Sequence, residues 1–176
     1  MSHSWRNPGH PGITRRGTVV ALGLVICGPG WALDTPKGKV VLSITGAVGQ
    51  HNAEGRADFD MAMLAALPQF SFTTQTPWYK TPKKFTGPLL RDVLAAAGAT
   101  GKVLTAVAIN DYKVEIPVED VHQHPVVLAR LMDGQAMPLR DKGPLFIIYP
   151  YDSSADLRNE RYYGRSAWQL RSLVVK

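Results

Sequence analysis

An α+β domain with a dominant sheet or barrel of short strands is the fold this sequence predicts, on three observations. β-branched and apolar runs recur between glycine, proline and Asn-Asp or Asp-Gly pairs, the punctuation expected of short strands. Only two stretches space their apolar residues as a buried helix face does. No repeat, low-complexity tract or linker separates one part of residues 33–176 from another, so one domain is expected there.

The elements follow in order. Val40 to Thr45 is a β-branched run ended by Gly46 and Gly49. Asp58-Phe59-Asp60 can cap a helix through Met61, Leu64, Ala65 and Leu67, which Pro68 stops. Phe70 to Thr74 alternates as a half-buried strand does. A second helix is expected from Gly87-Pro88 through Leu89, Leu90, Val93 and Leu94 to Gly98, with proline near its first turn. Beyond it, Val103 to Ile109 and Tyr112 to Ile116 flank the turn pair Asn110-Asp111, and Val126 to Met132 runs into Asp133-Gly134, a strong hairpin signal. Glu119 and Asp120 open a helical turn, Leu145 to Tyr149 is a fully apolar strand, and Trp168 to Val175 is a last strand.

The first 32 residues read as an export signal. Arg6, Arg15 and Arg16 precede a nearly unbroken apolar run from Gly17 to Cys27, no acid occurs before Asp34, and Gly30-Trp31-Ala32 offers small residues for cleavage before Leu33. The run is shorter than the about 20 residues that span a bilayer, so no stable membrane anchor is expected after cleavage. An uncleaved interfacial anchor and a lipidated Cys27 are the alternatives, and Arg15-Arg16 leaves Sec and twin-arginine export both open. The expected location is the periplasm or the exterior. Cys27 is the only cysteine, so the exported portion would have neither disulfides nor thiolate metal ligands. Residues 1–32 hold three arginines and no acid, so the formal charge of +6 falls to about +3 on cleavage. Lys80, Lys83 and Lys84 form the densest basic cluster and read as a solvated loop, so no nucleic-acid partner is expected.

The common catalytic patterns are missing: there is no glycine-rich phosphate loop, no Gly-x-Ser-x-Gly elbow and no His-Glu-x-x-His helix. His122 and His124 could meet on one side of an extended segment, but His51 is the only other histidine after residue 32, and no metal site is expected.

The order of the segments is more specific than any one of them. Phe59-Asp60-Met61-Ala62-Met63-Leu64-Ala65-Ala66-Leu67-Pro68 comes first, then Phe85-Thr86-Gly87-Pro88-Leu89-Leu90-Arg91-Asp92-Val93-Leu94 and Asn110-Asp111-Tyr112. Lys142-Gly143-Pro144-Leu145-Phe146-Ile147-Ile148-Tyr149-Pro150 closes the series. Over about Lys39 to Val175 this order resembles the sulfite-oxidase-type molybdopterin-binding domain of the oxidoreductases. The resemblance implies a mixed α+β fold with a few short helices, holding molybdenum through the dithiolene of a pterin and one protein cysteine. That cysteine follows the strand after the first helix. Here the corresponding stretch is Phe70 to Trp78, and Thr74, Gln75 and Thr76 offer only hard, neutral donors where a soft thiolate suits molybdenum.

Two readings follow from the resemblance, beside the bland one of a structural domain with no ligand. In one, the chain is an exported, non-catalytic binding or accessory domain whose former cofactor cleft takes a small anionic ligand or a periplasmic protein partner, with no cofactor. In the other, it is an oxidoreductase that binds molybdopterin without a cysteine. Either way the expected cleft walls are Thr74, Gln75, Thr76 and Trp78, the turn Asn110-Asp111-Tyr112, and Tyr149 and Tyr151. Arg140, Lys142, Arg161, Arg165 and Trp168 flank them. Arginine can hold a phosphate or carboxylate with two parallel hydrogen bonds, and tyrosine and tryptophan supply flat apolar faces with a polar tip. For the arginines to act this way, at least two must converge in one concavity. The long segment Tyr149 to Trp168 is expected to form a wall or lid near Thr76 and Trp78.

Overall fold

The first expected strand, β1 (Val40–Gly46), lies inside a five-stranded sheet and buries Leu42 and Ile44 on one face. The computed structural model describes residues 33–176; the expected signal segment, with Cys27, lies outside the described residues. β2 (Arg56–Asp60) pairs antiparallel with β1 and carries Asp58 and Phe59, expected to be part of a helix cap. Its acids hide it from a propensity reading, because Asp is a poor strand former. The fold satisfies Asp58 instead: Ser43 Oγ and Arg56 Nε donate to its carboxylate at 2.6 and 2.9 Å. Only Asp60 acts as the cap, accepting from the Met63 N–H at 2.8 Å to start α1 (Met61–Ala66). The same carboxylate accepts from the backbone of Gly38 and Lys37, and these donors hold it below the usual carboxylate range.

The helix expected from Gly87-Pro88 is corrected by the structure. Both residues end β4 (Lys83–Pro88), which pairs antiparallel over its whole length with β3 (Gln69–Thr74), Pro88 facing Gln69. Proline is tolerated there because it closes the strand and has no N–H to leave unpaired. Gly87 serves close approach: a Cβ on it would stand 2.0 Å from the Leu128 carbonyl oxygen. α2 (Leu90–Ala96) starts only at Leu90, whose N–H donates to Val126 O at 2.8 Å, and it stops before Gly98 at φ +61°. Lys83 and Lys84, expected in a loop, are strand residues, with Lys83 paired to Asp133 at 2.8 Å.

β5 (Val103–Ala108) and β6 (Lys113–Pro117) form the expected hairpin, with Asp111 at φ 63° in its turn. α3 (Val118–Gln123) follows with Glu119 and Asp120 in its first turn. β7 (Val127–Ala129), β8 (Leu131–Met132) and β9 (Gln135–Ala136) come next, the last two joined through Asp133 and Gly134, both at positive φ as a type I′ turn requires. β10 (Phe146–Ile148) pairs with β7. The stretch expected as a long loop is instead two 3₁₀ turns, Tyr151–Ser153 and Ala155–Leu157, then α4 (Glu160–Arg165), capped by the Asn159 side chain. β11 (Leu170–Val175) ends the series, pairing parallel with β1 and antiparallel with β5.

The strands make three open sheets, β2-β1-β11-β5-β6, β3-β4-β8-β9 and β10-β7, around one apolar core that includes Phe59, Phe85, Leu90, Leu128 and Phe146. This is the mixed, strand-dominated α+β architecture expected. No helix among the described residues is long and apolar enough to cross a membrane.

Candidate functional site

Three chain segments converge on a cleft of about 390 Å³. The β3–β4 connection supplies Pro77 and Trp78, the β5–β6 hairpin supplies Ala108, Asn110 and Tyr112, and the segment around α4 supplies Glu160, Tyr163, Gly164, Ser166 and Trp168. Each is placed by local structure. Gln75 fixes the first segment, its amide donating to the carbonyls of Thr76 and Tyr79 at 3.1 and 2.9 Å. Asp152, from the 3₁₀ turn after β10, ties that segment to the third: it accepts from Gln75 N–H at 2.7 Å, and its own N–H donates to Thr74 Oγ1 at 3.1 Å. Tyr112, half exposed, reaches across to donate to the Gly164 carbonyl at 3.3 Å. The segment Tyr149 to Trp168 thus forms a wall of the cleft beside Trp78.

The walls are aromatic and interlocked. Trp78 meets Trp168, Phe146 and Tyr163 at ring-centroid distances of 5.4, 5.5 and 6.2 Å, all inclined by 60° or more. Such edge-to-face contacts set the positive rim of one ring against the negative face of another. Lys142 lies on the same cluster, its Nζ 4.1 Å from the Trp168 ring centre and 5.8 and 6.0 Å from those of Trp78 and Tyr79. Burial pushes its pKa below the ordinary lysine value, partly offset by the neighbouring Asp141 carboxylate.

Behind the cleft is a second, closed polar cluster. Asp120, 7% exposed, accepts from Tyr149 Oη at 2.9 Å and from Arg165 Nη1 at 2.8 Å. Tyr151 Oη is bonded to Ser166 Oγ, which also donates to the Tyr162 carbonyl at 3.0 Å. Burial raises both Tyr149 and Tyr151 far above the ordinary phenol range, and the Asp120 charge raises Tyr149 further.

Of the residues the sequence singles out, Trp78, Asn110, Tyr112 and Trp168 line the cleft. The cations do not converge there. Arg165 is paired with Asp120, Arg161 lines an adjoining shallow depression with Asp156, Asn159, Tyr162 and Glu160, the last shared with the cleft, and Arg140 is exposed in a 3₁₀ turn at Leu139–Asp141. Asp111 is paired with Arg171 at 2.6 Å, and Tyr149 and Tyr151 are fully buried behind the wall. Thr74 and Gln75 hold the loop, whereas Thr76 is 3% exposed with a hydroxyl that has no partner. Sequence reasoning missed Glu160, Tyr163 and Ser166 as lining residues. The one available signal was Asn159, a cap residue that starts a short helix at Glu160 and so brings Tyr163 round to the same side as Trp168.

His122 lies in α3, and the His124 ring packs against Tyr162 at 5.9 Å. Among the described residues no group of three or more His, Cys, Asp or Glu is placed to hold a metal ion. No curated protein matches the chain. The family model of the oxidoreductase molybdopterin binding domain matches residues 42–153, from β1 to the 3₁₀ turn whose Asp152 fastens the cleft. That match covers more than half of the sequence, and the chain belongs to the oxidoreductase molybdopterin-binding domain family.

Proposed function

We propose that this is an exported, non-catalytic binding domain of the family, which takes a small ligand in the aromatic cleft. The observation that carries the reading is the make-up of that cleft: four aromatic side chains and no cysteine, lysine or arginine among its lining residues. Molybdopterin, which the family implies, carries a phosphate and a dithiolene-bound metal. The residues present do not fit it. The stretch that should bring the thiolate holds Thr74, Gln75 and Thr76, of which the first two are engaged in fastening the loop, and no cation lines the cavity to meet a phosphate. The arginines named for an anionic ligand do not line this cleft: Arg165 is held by Asp120 and Arg161 lies in the adjoining depression.

Export is supported by the charged start and apolar run of residues 1–32, and a periplasmic protein partner is a further form the ligand could take. One observation favours a second reading, a pterin-dependent oxidoreductase without a cysteine ligand. The Thr76 hydroxyl is buried without a partner beside Pro77 and Trp78 in the chain, an orphaned polar atom that a bound group would satisfy, and it is not itself among the residues lining the cleft.

Metal and pterin analysis of protein purified from its native compartment separates the two. Absence of stoichiometric molybdenum and of extractable pterin is expected; a molybdenum per chain overturns the binding-domain reading. N-terminal sequencing of the same preparation tests export, with Leu33 expected as the first residue.

A further inference from the structure

We infer that the cleft takes a small organic ammonium ion bearing a flat or apolar substituent; the inference rests on the binding-domain reading above and names its ligand class. Charge is the first argument. Glu160 is the only charged residue lining the cleft, and it makes no ion pair with any described residue. Ser166 is engaged with Tyr151 and the Tyr162 carbonyl, Asn110 Oδ1 with the Tyr112 N–H, and the Gly164 carbonyl with the Tyr112 hydroxyl, so the uncharged groups left over are the Asn110 amide nitrogen, the Tyr163 hydroxyl and the two indole N–H groups. An anion entering the cleft would meet a carboxylate, and Lys142, the cation on the aromatic cluster, is not among the lining residues. A neutral aromatic would cover that carboxylate without replacing its water.

The walls are the second argument. Trp78, Tyr112, Tyr163 and Trp168 surround the space, and the negative face of an aromatic ring attracts a cation, tryptophan most strongly. The protein already uses this cluster in that way, since the Lys142 ammonium rests 4.1 Å from the centre of the Trp168 ring. Size is the third. About 390 Å³ lies within the range of small-molecule sites and holds a substituted ammonium of one ring or a short chain.

The test is calorimetric titration of the full exported chain with phenyltrimethylammonium, phenylacetate and benzyl alcohol. Saturable binding of the ammonium is expected, at least about tenfold tighter than the alcohol, with none of the anion. Glu160→Gln should weaken the ammonium by about three- to tenfold, and that difference should shrink at about 1 M salt as the charge is screened. Tyr112→Leu should weaken it about fivefold at any salt. Both side chains are exposed, so Glu160→Gln should unfold at the wild-type temperature and Tyr112→Leu, which gives up the bond to the Gly164 carbonyl, only slightly below it. Equal or tighter binding of the anion or the alcohol overturns the inference, as does an ammonium affinity unchanged by Glu160→Gln. So does co-sedimentation with phosphatidylcholine vesicles without binding of the soluble ion. A metal-free protein that fails to bind the ammonium overturns the inference alone; stoichiometric molybdenum overturns the reading beneath it.

Discussion

Two carboxylates stand on either side of the same aromatic cluster and live under opposite conditions. Asp120 is buried and holds Tyr149 and Arg165, every bond closed within the protein. Glu160 is exposed on the cleft and holds no cation among the described residues. A buried charge must be paired where the chain folds, whereas a charge on a wet concave surface keeps its interaction for a later arrival. The difference separates structure from function without reference to either residue's type.

Breaking the closed side should cost most. Asp120→Ala leaves the Arg165 guanidinium and the Tyr149 hydroxyl without their acceptor, and a loss of about 2–4 kcal/mol is expected by urea unfolding. A loss below about 1 kcal/mol would show that the cluster is no more than a surface pair. Alkaline pH should act next. Burial holds the protons of Tyr79, Tyr149 and Tyr151 in the folded state well above the ordinary phenol value of 10.0. Their contribution is complete below about pH 10, where the unfolded chain also keeps those protons, and is lost as pH rises above it. Unfolding temperature should therefore fall steeply above about pH 10, and the fall should be shallower in Tyr149→Phe.

Lys142 falls between the two sides. Lys142→Met, which keeps the stem on Trp168 and removes the charge, should shift stability by no more than about 1 kcal/mol. Because burial lowers this pKa, the charged lysine is disfavoured in the fold, and stability should rise slightly with pH as Lys142 loses its proton ahead of the unfolded chain. A chemical-shift titration of this amine in the wild type would show a midpoint below the ordinary lysine value. The smallest effect is reserved for the open side: Glu160→Gln should leave stability unchanged within about 0.5 kcal/mol, its whole consequence appearing in ligand binding.

The sequence reads well where one local rule acts alone. Asp133-Gly134 forms its turn, Asp60 caps its helix, and β1, β3 and the β5–β6 hairpin stand where their patterns place them. It misleads where tertiary contacts override the local rule. Gly87-Pro88 looks like a helix start because proline favours that position, yet Gly87 is required by the approach of Leu128, which no local pattern records. The site divides in the same way. The tryptophans and the Asn110–Tyr112 turn were found from their types and order, but arginines are long and their partners are set by the fold. Arg165 could be assigned to Asp120 only once α3 and α4 were side by side.

The pairing of β1 with β11 has a consequence for how the molecule comes into being. The middle strand of the largest sheet is residues 170–175, and its parallel neighbour is residues 40–46, about 130 positions earlier. β1 also has a neighbour nearby in the chain, β2, but its pairing with β11 closes a long loop and carries the entropy cost of doing so. A chain that lacks residues 170–176 therefore has no middle strand for that sheet, and β1 and β5 lose the neighbour they share.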